Sequence, residues 1–342
     1  LTEMKFYLKP ENCIIKMINR LIYWKRIFSA YVFNKEKSNL SFWHGTPEIN
    51  EKATYDQLNQ YYMPFSYKAK YKGDFDQNGI PKLNYQGDIG SQYNPIAISQ
   101  WALGHYNLWC ETENKKNYSK FINGADWLVD NLNLNSNNVY VWHHYFNWVY
   151  KETLINPWYS GLAQGQGLSV LVRAYKISQN QKYLESAKKV YQSFLIDTSK
   201  GGVTFTDKDN NIWIEEYIMK KSPTHILNGF IWGLWGIYDY WLLTNDISAK
   251  NLFDRYVKTI SMNIDKYDIG YWSLYELSNL KIKMRASFFY HNLHIVQLQI
   301  LFNMTGLEDF KNVSDKWNNY LNKKFNVFKA TIMKILFKIF YY

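Results

Sequence analysis

Four stretches of this chain share one design, and that repetition constrains its fold more than any other feature. Each stretch begins with a helix of aromatic residues mixed with Gly, Ala, Ser and Gln, and continues into a plainer amphipathic helix. The stretches begin at Asn94, Trp158, His225 and Phe288, which lie 64, 67 and 63 residues apart. A recurring period of this length indicates units that each bury an apolar face on their neighbours. The sequence therefore predicts a mainly α fold, an (α/α)4 toroid or barrel of four helical hairpins.

The pattern divides these helices into an inner and an outer set, because small residues in the first helix of each pair allow close backbone approach. The inner helices are expected at about 94–112, 158–178, 225–243 and 288–304. The outer helices are expected at about 117–134, 181–197, 248–266 and 307–322. Asn94 and Pro95 supply an N-cap and a proline at the first helical position, a strong start signal. Alternating apolar and polar residues predict strand-like joints or short β-hairpins at 139–149, 201–216 and 271–277.

Three regions follow from these patterns. Residues 1–90 contain a basic amphipathic helix at 12–34 and a turn-rich cap, and residues 91–324 form the toroid. Residues 325–342 form a second basic amphipathic helix. Such helices can lie in a membrane interface, and the alternative is that both simply close the fold.

The chain is strongly basic, with 40 Lys and Arg against 29 Asp and Glu and a net charge of +11. This charge favours anionic partners, and we expect an acidic polysaccharide or glycolipid together with peripheral contact to an anionic membrane. No nucleic-acid-binding signature occurs, so nucleic acid is not an expected partner. Cys13 and Cys110 are too few for a disulfide framework, and no signal peptide or membrane-spanning run is found. The expected location is the cytoplasm, with peripheral contact at the inner membrane face.

Six ordered motifs carry a resemblance to a known family. They read Tyr93-Asn-Pro-Ile-Ala-Ile-Ser-Gln-Trp-Ala-Leu-Gly-His-Tyr106, Trp158-Tyr-Ser-Gly-Leu-Ala-Gln-Gly-Gln-Gly-Leu-Ser-Val-Leu-Val-Arg-Ala-Tyr175, Glu215-Glu-Tyr217, Leu227-Asn-Gly-Phe-Ile231, Ser273-Leu-Tyr-Glu-Leu277 and Tyr290-His-Asn-Leu-His-Ile-Val-Gln-Leu-Gln299. Over about residues 80–322 the sequence resembles the D-glucuronyl C5-epimerase family, specifically its C-terminal helical domain. The resemblance implies an (α/α)4 barrel, in agreement with the four hairpins. It also implies a short form without the large β-rich domain of the animal enzymes.

The resemblance further implies inversion at C5 of glucuronyl residues in a polysaccharide. That reaction removes a proton α to a carboxylate from one face and returns one to the other, so it requires acid–base groups on both faces. Tyrosines carry this role in the family, and the matching positions are Tyr217, Tyr275 and Tyr290, which we expect to converge on one cleft. A tyrosine with a pKa near 10 needs neighbours that favour phenolate. Acid–base or substrate-binding support is expected from Glu216, His291, His294 and Asn228.

The chain departs from the family pattern where a carboxylate would be bound. The family's Tyr-Asp-Leu-Arg-His reads Tyr275-Glu-Leu-Ser-Asn279, and Ser287 stands in place of another arginine. Arginine is the natural clamp for a uronate carboxylate, so a different cation must serve if the substrate is a uronate. Arg285 and Lys220 flank the motifs and are the expected replacements.

Several alternatives stay open at this level. A uronate polysaccharide lyase begins with the same C5 proton abstraction, and a non-catalytic scaffold in surface-polysaccharide assembly would account for the lost arginines. Each tyrosine could also be an interior ring without chemistry. A glycoside hydrolase of the six-hairpin class is disfavoured because four hairpins fit. His291 and His294 share a helical face, but no third ligand accompanies them, so no metal and no other cofactor is expected.

Overall fold

Four helical hairpins form the body of a computed structural model, which describes residues 42–43, 45–85 and 87–341, without the side chains of residues 339 and 340. The hairpins are α1 (Pro95–Thr112) with α2 (Lys115–Asp130), α3 (Gly161–Ser178) with α4 (Gln181–Leu195), α5 (Leu227–Thr244) with α6 (Ile247–Asn263), and α7 (Phe288–Thr305) with α8 (Glu308–Leu321). The first helix of each pair is largely buried and the second buries one face. The prediction of a mainly α, four-hairpin fold is confirmed. The outer helix expected at 117–134 ends at Asp130, since the chain then enters a strand.

The inner helices pack on one another in chain order, α1 on α3, α3 on α5 and α5 on α7. Glycine makes the closest of these contacts possible. A methyl group at Gly165 of α3 would overlap the backbone of Gly233 in α5, and one at Gly236 would overlap the Gly165 backbone. The small residues of the repeat therefore serve helix packing, as the sequence indicates.

Side-chain caps fix the N-terminal ends of three inner helices. The Asn94 carboxamide oxygen accepts the backbone N–H of Ile96 at 2.9 Å, and the Ser287 hydroxyl accepts that of Tyr290 at 3.3 Å. Ser160 caps α3 in the same way. These caps satisfy amides that the first helical turn leaves unpaired, so each helix start is well defined.

Short antiparallel strands precede and join the hairpins. A three-stranded sheet of β1 (Asp74–Phe75), β2 (Pro81–Asn84) and β3 (Ser91–Gln92) leads into α1, and three two-stranded ribbons follow. The ribbons are β4 (Leu132–Leu134) with β5 (Tyr140–Trp142), β6 (Trp148–Val149) with β7 (Thr153–Leu154), and β8 (Thr204–Thr206) with β9 (Ile212–Ile214). The expected hairpin at 201–216 is confirmed, with Thr204 opposite Ile214.

Two of the expected joints differ from simple hairpins. In 139–149, β5 pairs with the earlier strand β4, and β6 pairs with the later strand β7. Residues 271–277 form isolated bridges only, one between Asp268 and Ser273 and one between Leu274 and Arg285. A strand does not continue there because the chain turns away, and the Leu277 amide donates to the carbonyl of Thr224.

The segment 55–64 closes the C-terminal ends of all four inner helices. Its Tyr61 amide donates to Asn107 at the end of α1, and its Asn59 carbonyl accepts from Arg173 of α3. The carbonyl and hydroxyl of Tyr55 accept from Tyr238 of α5 and Asn303 of α7, respectively.

Beneath this segment, Arg173 and Asp239 form a fully buried two-point ion pair with N–O distances of 2.5 and 3.1 Å. The Tyr62 hydroxyl donates to the same carboxylate at 2.6 Å, so its charge is well satisfied. Hydrogen bonds and this ion pair thus fix residues 55–64 to the C-terminal ends of the inner helices.

The expected basic helix at 12–34 lies outside the described residues. The C-terminal helix does form, as α9 (Lys324–Tyr341). It packs Phe337 into a cluster with Tyr150 and Tyr275, while Phe325 and Phe328 are exposed. Among the described helices, none combines the length and apolar character needed to cross a membrane.

Candidate active site

The three tyrosines singled out by the sequence lie in one cluster at the N-terminal ends of the inner helices. Tyr275 lies at the N-terminal end of α5, where its carbonyl accepts the amide of Leu227 at 3.2 Å. Tyr290 lies in the first turn of α7. The ring centres of Tyr275 and Tyr290 are 4.8 Å apart. Tyr217, which follows β9, joins the cluster through Tyr150, at 4.9 Å between ring centres. The fold therefore gathers the three rings from separate joints of the chain.

Glu216 lies beside these rings and is buried. Tyr217 donates a hydrogen bond to its carboxyl group, and the Asn228 amide lies 3.5 Å from Oε2. Gly229 makes room for this carboxyl, because a methyl group there would overlap Glu216. The Leu227-Asn-Gly-Phe-Ile231 motif thus shapes a pocket for one acidic side chain.

Burial gives Glu216 an unusual acidity. Removal from water raises the pKa of its carboxyl to about 8, and the nearby carboxylates Glu215 and Glu276 add to the rise, against the hydrogen bond from Tyr217. A carboxyl group with this pKa exchanges its proton near neutral pH, which is the property of an acid–base residue.

Tyr275 is held in its neutral form. Burial, and then the charge of Glu216 and the neighbouring tyrosines, raises the pKa of Tyr275 well above its usual value near 10. The sequence predicts neighbours that favour phenolate, whereas the surroundings of Tyr275 favour the neutral phenol. In this geometry Tyr275 is suited to donating a proton.

Glu276 organises a second group of polar side chains at the cluster. Its carboxylate accepts the Tyr150 hydroxyl at 2.5 Å and the Ser278 hydroxyl at 2.6 Å, and it pairs with Lys151. Ser278, at a position where the family resemblance expects an arginine, thus bonds this carboxylate through its hydroxyl, and the cation beside it is Lys151. Glu276 is therefore fully bonded within the chain.

Glu215 serves the loop before α5. It accepts the amides of Thr224 and His225 and bonds the His225 ring at 2.6 Å. These bonds hold the segment between β9 and α5, which carries Glu216 and Tyr217.

His291 and His294 lie in the core behind the cluster. Nδ1 of both rings contacts the Ser273 hydroxyl, at 2.7 and 3.0 Å, and Nε2 of His291 lies 3.1 Å from the Trp317 carbonyl. Burial lowers the pKa of His291 to about 4 and that of His294 well below 6.5. These neutral rings hold Ser273, two residues before Tyr275, in place. In the part of the chain that is described, no three His, Cys, Asp or Glu side chains gather as a metal site.

The structure places the two expected replacement cations away from the tyrosines. The Arg285 guanidinium donates to the Tyr271 hydroxyl at 3.3 Å and to the Lys283 carbonyl at 2.8 Å. Lys220 is exposed, and its contact is through the backbone, to Glu152. None of these bonds is to Tyr217, Tyr275 or Tyr290.

Sequence reasoning missed four polar residues of this cluster: Tyr150, Lys151, Glu276 and Lys334. Glu276 carried a signal, because it is the acidic residue of the Tyr275-Glu-Leu-Ser-Asn279 motif. Tyr150 and Lys151 directly follow the expected strand at 139–149 but belong to no motif. Lys334 lies on the C-terminal helix, with its ammonium 5.2 Å from the centre of the Tyr275 ring. Nothing in its periodicity distinguishes it from a solvated lysine.

These features define an α/α-hairpin protein with a buried group of tyrosines and carboxyl groups at one end of its inner helices. The chain belongs to the family described as the D-glucuronyl C5-epimerase C-terminus, whose pattern matches residues 135–319. That match spans the second and third hairpins and all but the last two residues of the fourth. It includes all three tyrosines.

The chain is also similar to individual proteins. The chain is 32% identical over 228 residues to the D-glucuronyl C5-epimerase of Caenorhabditis elegans, covering 61% of this chain and 36% of that enzyme. It is 29% identical over 180 residues to an uncharacterized protein of Methanocaldococcus jannaschii, covering 52% and 56% of the two chains. The chain thus spans 36% and 56% of the length of these two relatives. A family 76 glycoside hydrolase from a bovine Bacteroides thetaiotaomicron strain superposes with a TM-score of 0.48 at 12% identity, covering 71% of this chain and 50% of that one.

Proposed function

We propose that this chain is a C5-epimerase of glucuronyl-type residues in an acidic polysaccharide or glycolipid. The observation that carries the proposal is the gathering of Tyr217, Tyr275 and Tyr290 around the buried carboxyl of Glu216. Membership of the epimerase family supports the same reaction.

The first step is removal of the C5 proton. Tyr217 donates to Glu216, so when Glu216 is ionised the phenol can pass its own proton to the carboxylate while its oxygen takes the C5 proton. The C5–H bond breaks, and its electron pair moves into an enolate of the C6 carboxylate. Cations or hydrogen-bond donors near that carboxylate then stabilise the developing charge.

The second step returns a proton to the other face. Tyr275 is neutral, so its hydroxyl proton is available for C5, where the enolate electron pair forms the new C5–H bond. The step leaves Tyr275 as phenolate and Glu216 protonated. Glu216 lies close enough to act electrostatically on Tyr275, and transfer of the proton from one to the other, directly or through Tyr290, restores the starting state.

Product analysis tests this proposal. A polymer that contains D-glucuronic acid is incubated with the protein and examined by proton NMR, together with the same polymer after reduction of its carboxyl groups to alcohols. We expect the C5-inverted uronate from the acidic polymer and no change in the reduced polymer, which has no carboxylate to stabilise an enolate. A new alkene signal together with cleavage of the polymer would show that the protein is a lyase and not an epimerase. An unchanged acidic polymer would favour the non-catalytic scaffold.

A further inference from the structure

The C-terminal helix turns two lysines inward and several apolar residues outward. Lys334 is 5% exposed and Lys338 is 9% exposed, whereas Phe325 and Phe328 of the same helix are 72% and 62% exposed. Burying an ammonium group is costly unless a charge or several hydrogen bonds compensate it. A helix that buries Lys and exposes Phe therefore requires a reason at the surface it covers.

Lys334 has little compensation among the residues that the structure describes. Its ammonium donates to the Arg285 carbonyl at 2.9 Å and faces the Tyr275 ring at 5.2 Å. Of the carboxylates in the described residues, none forms an ion pair with it. Burial, together with the positive charge of Lys338, lowers the pKa of Lys334 well below 10.5, with Glu276 acting in the opposite direction. An anionic ligand would remove this imbalance.

The position of Lys334 matches a specific need of the proposed reaction. The carboxylate of a uronate is attached to C5 by one bond, so a group that binds it must lie next to the residue that exchanges a proton with C5. Lys334 lies over the ring of Tyr275, which is one of the proposed proton donors. Two neighbouring cations are engaged elsewhere: Lys151 pairs with Glu276, and Arg285 bonds Tyr271.

We propose that Lys334 binds the carboxylate of the uronyl substrate, in place of the arginines that the family resemblance expects at the positions of Ser278 and Ser287. This inference rests on the proposed epimerase function and adds the substrate-binding role of the C-terminal helix. It also gives the helix a reason to bury Lys334, since the ligand supplies a negative charge beside its ammonium group. The remaining N–H donors of Lys334 are available to the carboxylate oxygens.

A binding comparison tests the inference. Binding of the glucuronic-acid polymer and of its carboxyl-reduced form is measured for Lys334→Met, in a Tyr217→Phe background that slows turnover of the glucuronyl polymer during the measurement. We expect Lys334→Met to weaken binding of the acidic polymer by about 10- to 100-fold, the usual worth of a hydrogen bond to a charged group. Binding of the reduced polymer should not change. Lys334→Arg should retain part of the preference for the acid.

Matched controls separate binding from folding. Lys329→Met removes an exposed lysine of the same helix and should leave both affinities unchanged. Lys334→Met should melt at the same or a higher temperature than the parent without ligand, because an uncompensated buried charge is removed. If that variant fails to fold, Lys334→Gln makes the same comparison. Unaltered preference for the acidic polymer in a folded Lys334 variant would overturn the inference.

The two proposals fail in different ways. Charge-selective binding that depends on Lys334, in a parent protein that exchanges no C5 proton, would refute the epimerase and retain the binding role. Normal kcat and KM in Lys334→Met, with an active parent, would refute the binding role and retain the epimerase.

Discussion

At the residue scale, the site distinguishes two kinds of acid–base group by their surroundings. Burial moves the pKa of Glu216 up to about 8, into the range where it can accept a proton, and keeps Tyr275 neutral. Environments that push titrating groups apart commonly assign acid and base roles. Here they favour a Tyr217–Glu216 pair as the base and Tyr275 as the acid for one direction of the reaction.

The two-face mechanism predicts asymmetric variants. Tyr217→Phe should block C5 exchange that starts from one epimer far more than exchange from the other, and Tyr275→Phe should show the opposite preference. In each variant the rate of the affected C5 exchange should fall by about 10²- to 10⁴-fold, the usual contribution of a positioned acid or base. Deuterium uptake from D2O into polymers of each epimer measures both rates. Tyr145→Phe, at an exposed tyrosine, is the control, and equal losses from both epimers in both variants would contradict separate faces.

Glu216 also predicts a pH dependence of stability. Its folded-state pKa of about 8 lies above the usual 4.5, so between these values the folded protein holds a proton that the unfolded chain has lost. This group therefore makes the free energy of unfolding fall as pH rises through that window. Glu216→Gln removes the effect, so the stability of the variant relative to the parent should increase with pH, by up to about 5 kcal/mol at pH 8.

Urea unfolding at several pH values measures this difference. The exposed Glu185→Gln is the matched control and should show a difference that does not vary with pH. A pH-independent difference for Glu216→Gln would show that its carboxyl has an ordinary acidity.

At the element scale, α9 shows what helical periodicity can and cannot reveal. The sequence predicts a basic amphipathic helix over 325–342, and a helix does span Lys324–Tyr341. Periodicity alone suggests that the lysines face solvent. The fold instead packs Lys334 and Phe337 against Tyr275, because the helix covers the cluster at the N-terminal ends of the inner helices. Which face is buried depends on that tertiary surface and is not encoded in local spacing.

The outward face of α9 keeps the membrane hypothesis testable. Phe325, Phe328, Ile332 and Leu336 form an exposed apolar stripe. We predict binding to anionic vesicles, weakened at 1 M salt as the Debye length falls from about 10 Å at 0.1 M to about 3 Å. Replacing Phe325 and Phe328 by Ser should lower vesicle affinity by at least about tenfold, since each buried phenyl group contributes about 1.5–3 kcal/mol.

Because both rings are exposed, the double variant should keep the thermal stability of the parent, so a loss of vesicle binding would not result from unfolding. Vesicle binding that is the same in parent and variant would exclude the apolar stripe as the membrane contact.

Helix packing makes a separate prediction. Gly165→Ala should destabilise the fold by about 1–3 kcal/mol, because the methyl group would force α3 from α5 at Gly233. Alanine is otherwise the better helix former, so a loss of stability reports the tight contact itself. Ser178→Ala near the end of the same helix is the control. Equal or greater stability of Gly165→Ala in urea would show that the two backbones are not in close contact.

At the scale of the whole molecule, the repeat in the sequence was sufficient to predict the four hairpins. Each hairpin buries a periodic face, and caps such as Asn94 mark the helix starts, so this information is local. The closure of the far end by residues 55–64 was not predictable, because its bonds to Asn107, Arg173 and Asn303 join positions remote in sequence. Likewise, the resemblance selected the tyrosines, whereas Lys151 and Lys334 reach the cluster through tertiary packing alone.

The central claim is that this cluster of tyrosines and Glu216 exchanges the C5 proton of a uronate without cleaving the polysaccharide. The most direct test is incubation of a glucuronic-acid polymer with this protein in D2O, followed by NMR at C5 and measurement of polymer length. We predict deuterium at C5 in both epimers, at unchanged polymer length, and loss of this uptake in the Tyr217→Phe, Tyr275→Phe double variant. Uptake that survives in a folded double variant, or no uptake by the parent on any uronate polymer, would contradict the account.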